Sequence, residues 1–218
     1  MTAKGRYYIV WDFETTGIPA RAPGLVRPVE VGITIFDEAF EAHWSYSFRM
    51  CPDVWAPGYE RAEAVHGITR HSLGAGRARD MVSAFEHLAV VLANDTKCGL
   101  LAYATEVYSL AWNSKFDSEV LRLWMRAAGR EDLSLADWPD APIGPFVAPA
   151  GCLQALYREW TKTQPDFHTP RYGALKLACT SLGLDWDDSA AHSAAYDAKM
   201  AGLVAGRLLK IAKQKSSH

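Results

Sequence analysis

The chain has 218 residues, 49% of them hydrophobic, with a formal net charge of -2 at pH 7. That is enough apolar material for one compact core, so a single domain over residues 1–213 with a short frayed tail at 214–218 is expected. The near-neutral balance argues against a global basic field for tight duplex binding, and no apolar run is long enough to span a bilayer.

The N-terminus lacks a charged-then-apolar signal pattern, which leads to the expectation of a soluble, cytoplasmic protein with no membrane partner. Cys51, Cys98, Cys152 and Cys179 lie far apart with no C-x-x-C pair, so a zinc site is not expected and free thiols in a reducing compartment are.

In chain order, Tyr7 to Phe13 reads as a central strand, apolar on both faces and rich in aromatic and β-branched residues. Pro19, Pro23 and Gly24 make 18–27 a loop. Val29–Phe36 and Ala42–Phe48 read as two further strands joined at Asp37-Glu38, giving an antiparallel three-strand meander. A short helix over Tyr59–Val65 ends at His66-Gly67, with Gly67 as C-cap. Residues 78–93 form an amphipathic helix with Met81, Phe85, Leu88 and Leu92 on one side and Asp80 near its positive end. Val107–Trp112 is a core strand set apart by Thr105-Glu106 from an ambiguous apolar piece at 98–103. A helix over 115–128 stops at Gly129, and a proline-rich connection covers 130–150. Helices are expected at 151–162, at 172–182 and from Ser193 to about Lys213.

Four acids sit oddly on this pattern. Alternation along the first strand puts Asp12 and Glu14 on one face, with Val10 and Tyr8, and Thr15-Thr16-Gly17 follows as a hydroxyl-bearing turn. Counting from Asp117 by three, four, seven and eleven gives Val120, Leu121, Trp124 and Ala128, so Asp117 shares the apolar stripe of its helix. Asp197 likewise leads Met200, Val204, Leu208 and Ile211. A buried ionised carboxylate costs several kcal/mol unless compensated, and two of them about 5 Å apart repel by roughly 3 kcal/mol at an effective dielectric of 20. Separate salt bridges to Arg or Lys would compensate each acid singly. Divalent cations bound by hard oxygen ligands would compensate all four together. His192, five residues before Asp197, is either a solvated loop residue or an imidazole placed to take a proton from water.

Asp12-Phe-Glu14-Thr-Thr-Gly, Trp112-Asn-Ser-Lys-Phe-Asp117 and His192-Ser-Ala-Ala-Tyr-Asp197 resemble the three exonuclease motifs of the DnaQ-like 3′-5′ exonucleases in their DEDDh branch. Ala64-Val-His66-Gly67-Ile68-Thr69 is similar to the turn segment after the third strand in the proofreading-subunit group. The resemblance, over roughly residues 6–206, implies an α/β, ribonuclease H-like mixed sheet whose first three strands are antiparallel, with helices on both faces. It implies two Mg²⁺ or Mn²⁺ ions held by Asp12, Glu14, Asp117 and Asp197, with His192 as general base. It further implies that Thr15, Thr16 and Gly17 bind the 3′-terminal nucleotide, with His66 and Phe116 shaping its pocket. The expected substrate is the 3′ end of single-stranded or frayed DNA, favoured over RNA, and the expected product is a nucleoside 5′-monophosphate. A DNA polymerase or another replication or repair protein is the expected partner class.

The chain departs from the family at 97–111, which is long for a helix-to-strand link, and at the proline-rich 134–150, which the resemblance does not place. Gly151-Cys152 stands where family members often carry an Asp. Two other functions remain open from the sequence: an exoribonuclease trimming RNA 3′ ends, and a catalytically silent fold serving as a binding module. His66 and His71 are spaced by five and do not stack on one helical face as a metal pair would, and Trp55 and Trp138 sit in loops where base stacking is one use among several.

Overall fold

A computed structural model describes residues 5–74, 76, 78–99, 101, 104–130, 151–164 and 174–216. Strands β1 (Gly5–Thr15), β2 (Pro28–Asp37) and β3 (Ala42–Cys51) form the expected antiparallel meander. β4 (Arg79–Asp80) lies parallel to β3, and on the other side β5 (Ala104–Ala111) runs parallel to β1 and β6 (Gly151–Cys152) parallel to β5. The sheet order is β4-β3-β2-β1-β5-β6, so β1 is central, as its two-sided apolar sequence requires.

Helices cover both faces. Tyr7, Ile9, Trp11 and Phe13 pack under α3 (Met81–Cys98) and α4 (Ser114–Ala127), meeting Phe85, Leu88, Val120, Leu121 and Trp124 in one buried cluster. Val10 and Phe36 face the other way, onto Leu153 of α5 (Leu153–Thr161) and Ala198, Ala201 and Ala205 of α7 (Ala194–Lys215). The shorter helices are α1 (Tyr59–His66), α2 (Arg70–Leu73) and α6 (Leu175–Ser181). Among the described residues no helix is long and apolar enough to cross a membrane.

Several boundaries differ from expectation for local reasons. α3 continues to Cys98 because nothing before Gly99 breaks it, and Asp80 caps its start by accepting from the backbone N–H of Val82 and Ser83. Thr105 and Glu106 belong to β5, where both are exposed, rather than separating two segments. Gly151 and Cys152 pair with Leu110 and Ala111 as a strand instead of opening the next helix. α7 runs through Gln214 to Lys215. The proline-rich segment with Trp138, and the expected start of a helix at 172, lie outside the described residues. Cys51, Cys152 and Cys179 are free thiols, of which only Cys179 is buried.

One glycine sets the height of α7 over the sheet. A Cβ at Gly32 of β2 would sit 2.0 Å from the backbone carbon of Ala194 and 2.3 Å from the backbone nitrogen of Ala195, neither of which can move without lifting the helix. Gly32→Ala is therefore expected to lower stability by about 1–3 kcal/mol, the usual cost of overpacking, and to displace the first turn of α7. Urea unfolding reads this directly. An unchanged midpoint would show that the contact is not tight.

Candidate active site

The carboxyl end of β1 is where the acids meet. Trp11 and Phe13 are buried on the α3–α4 side, so Asp12 and Glu14 alternate onto the side that α7 covers. β5 pairs in parallel with β1, Ala111 opposite Trp11, and α4 starts three residues later, which delivers Asp117 to the same strand end at 3% exposure. From the opposite side Gly32, the cross-strand partner of Asp12, lets the first turn of α7 approach and bring Asp197 in. Two strand ends and two helix starts thus converge.

Burial, then repulsion from Glu14, Asp117, Asp197 and Glu30, holds the Asp12 carboxyl well above the usual range. Glu14 is pushed up to about 8 by burial and by Asp197, Glu30 and Asp117. Burial pushes Asp117 up to about 8. It raises Asp197 to about 6, where the neighbouring His192 opposes the shift. Asp197 Oδ1 is buried with no hydrogen-bond partner among the described residues, and separate salt bridges to Arg or Lys do not compensate these four acids there. An all-oxygen donor set left uncompensated in this way fits hard divalent cations.

Glu30 is a fifth acid that the sequence reading missed. It is 5% exposed, pairs across the strands with Glu14, and lies 3.6 Å from the Arg49 guanidinium Nε. Burial raises its pKa, and Arg49 and Ser47 hold the rise back.

Ligand atoms of Glu14, His192 and Asp197 all lie within 4.8 Å of one another. His192 is exposed and has a left-handed backbone at φ 61, a conformation costly for a non-glycine residue and found where surrounding structure enforces it. These groups open into a cleft of about 690 Å³, lined also by Asp12, Thr15, Gly17, Ile18, Arg21, Arg61, His66 and Phe116.

His66 is held by two hydrogen bonds. Its Nδ1 accepts from the Ile68 N–H at 3.0 Å and its Nε2 donates to the Thr15 carbonyl at 3.2 Å, which fixes the neutral tautomer. Burial, helped by the nearby His192 and Arg49, lowers its pKa and favours the same form. With both nitrogens engaged, His66 is not half of a metal pair with His71. Thr16 does not reach the cleft surface: it is fully buried, its hydroxyl accepts from the Arg27 N–H at 2.9 Å, and Arg27 in turn binds Asp53. Trp55 packs edge-on against Tyr59 under the Arg70 guanidinium, an anchor for α1.

The architecture matches solved structures across nearly its whole length. The zinc-bound complex of E. coli exonuclease I with single-stranded DNA superimposes with a TM-score of 0.69 at 18% identity, covering 96% of this chain and 41% of that one. Its complex with a dT13 oligonucleotide gives 0.67 at 17% identity, covering 96% and 43%. A full-length 3′-exonuclease gives 0.67 at 17%, covering 97% and 62%. The fold is ribonuclease H-like. The chain spans well under half the length of the exonuclease I structures. No family model matches the sequence, and no curated protein matches it by sequence.

Proposed function

We propose that the protein is a metal-dependent 3′-5′ exonuclease of the DEDDh type that hydrolyses terminal phosphodiesters of single-stranded or frayed DNA and releases nucleoside 5′-monophosphates. The observation that carries this reading is the convergence of four uncompensated carboxylates at one strand end, where Asp12, Glu14 and Asp197 line a cleft with the His192 imidazole and Asp117 lies buried beside Asp12. The single-stranded DNA in the structures of similar fold supports the choice of substrate.

Asp12, Glu14, Asp117 and Asp197 hold two divalent cations, Mg²⁺ or Mn²⁺, in this reading. Such ions, when bound, neutralise the acids and stabilise charge on the attacking and leaving oxygens of a phosphodiester. A ring nitrogen of His192, within 4.8 Å of ligand atoms of Glu14 and Asp197, takes a proton from the attacking water. The water oxygen bonds to phosphorus as the bond to the leaving 3′ oxygen breaks, and that oxygen takes up a proton. Thr15, Gly17, His66 and Phe116 surround the terminal nucleotide, while Thr16 acts from behind by pinning the turn to Arg27. Residues 1–213 form one domain that carries every one of these groups.

The test is digestion of 5′-labelled single-stranded DNA, 3′-mismatched duplex and RNA of matched length with Mg²⁺ or Mn²⁺. Stepwise shortening of the DNA from its 3′ end, lost in chelator, is the expected result. Preferential shortening of RNA would move the protein to RNA processing. No shortening of any substrate would overturn the reading.

A further inference from the structure

A second cleft of about 540 Å³ continues from the first, and the two share Ile18 and Phe116 as common wall. One side of it is the 18–24 loop, through Pro19, Ala20 and Pro23. The other is the outer face of α4, through Lys115, Glu119 and Arg126. Lys115 and Arg126 are both exposed, and Glu119 lies 2.5 Å from Arg122. Apart from Asn113, the remaining lining is apolar, prolyl or glycyl, a surface on which bases can lie without sequence preference.

We infer that this second cleft carries the nucleotides immediately upstream of the one in the active site, with Lys115 and Arg126 contacting their phosphates. The inference rests on the exonuclease reading for which end of the strand enters first. Two observations select the occupant: continuity with the acid-lined cleft across Ile18 and Phe116, and positive charge on a protein whose net charge is negative. A strand whose terminal phosphodiester lies among Asp12, Glu14 and Asp197 has only to cross that shared wall to meet these cations. The path gives a protein without a global basic field a local way to hold single strands. It also makes affinity depend on strand length.

The experiment measures binding by fluorescence anisotropy, using labelled oligothymidylates of two and of ten nucleotides with phosphorothioate linkages, in Mg²⁺. For Lys115→Ala/Arg126→Ala, the ratio of the ten-nucleotide Kd to the dinucleotide Kd is expected to rise about tenfold, as for the loss of two phosphate contacts. The slope of log Kd against log salt for the longer strand should fall by about 1.4, since each phosphate contact on a single strand contributes roughly 0.7. Ala20→Trp, at an exposed position, fills the cleft without changing charge, and should raise the same ratio while leaving the salt slope intact. A ratio unchanged in both variants, or equal weakening of both lengths, would overturn the inference. Hydrolysis of ordinary DNA by the wild-type protein, run in parallel, separates this outcome from failure of the exonuclease reading, because the binding series needs no turnover.

Discussion

Replacing Asp12 with asparagine is expected to slow shortening of single-stranded DNA by on the order of 10³-fold or more, because charge stabilisation by bound cations is worth several kcal/mol and about 1.4 kcal/mol is tenfold in rate. The substitution keeps the volume of the side chain and removes only its charge. Asp12 stands at the centre of the group, its carboxyl raised by each of Glu14, Asp117, Asp197 and Glu30. His192→Ala should cost about 10²- to 10⁴-fold, the usual contribution of a positioned general base. Single-turnover rates with saturating enzyme separate these losses from weaker binding. An Asp12→Asn rate within tenfold of wild type would mean that the acid cluster is not the reacting centre.

The same substitution should make the metal-free protein more stable. A carboxyl whose folded pKa lies above its unfolded value leaves the folded state with the more protons, so stability falls as pH rises between the two values. For Glu14 and Asp117 that window runs from their ordinary values of 4.5 and 3.8 up to about 8, and for Asp197 up to about 6. In chelator, the melting temperature of the wild-type protein should therefore fall across about pH 5 to 8 more steeply than that of Asp12→Asn. At pH 8 the variant should melt about 5 °C or more above wild type, a few kcal/mol in a chain of this size. Added Mg²⁺ should raise the wild-type melting temperature and the variant's much less, because only the intact cluster binds tightly. Parallel pH profiles for the two proteins would refute the assignment of repulsion to this cluster.

Much of this was legible from periodicity. The alternation of β1 separated Asp12 and Glu14 from Trp11 and Phe13, and the helical stripes of α4 and α7 turned Asp117 and Asp197 toward the core, because a two-residue or 3.6-residue period fixes which face a side chain takes. Glu30 was invisible for the same reason. In Val29-Glu30-Val31 an acid between two apolar residues reads as the solvent side of a strand, and only the strand register shows that its partner is Glu14. Strand β6 has two residues, too few to show any period, and exists because Leu110 and Ala111 offer an open edge. The motif also grouped Thr15 with Thr16, yet the strand register shifts between Glu14 and Thr15, which breaks the alternation, keeps Thr15 at the cleft and turns Thr16 to Arg27. The second cleft arises from residues roughly a hundred positions apart, which no local pattern relates.

The small residues along α7 bear on how such a chain can diverge. A Cβ at Gly202 would meet the Phe36 ring at 2.2 Å, and one at Gly206 would meet the Phe40 side chain at 2.6 Å, so with Gly32 the helix is seated at three points, two on the sheet and one on the turn between β2 and β3. Asp197 rides at one end of that seat. Substitutions at outward positions such as Lys199 and Lys210 leave that seat alone, whereas any side chain at Gly202 or Gly206 must displace a ring or lift the helix. Descendants of this sequence that keep the chemistry would keep those glycines, and a lineage released from catalysis would lose the acids first and the glycines only when the packing itself was rebuilt.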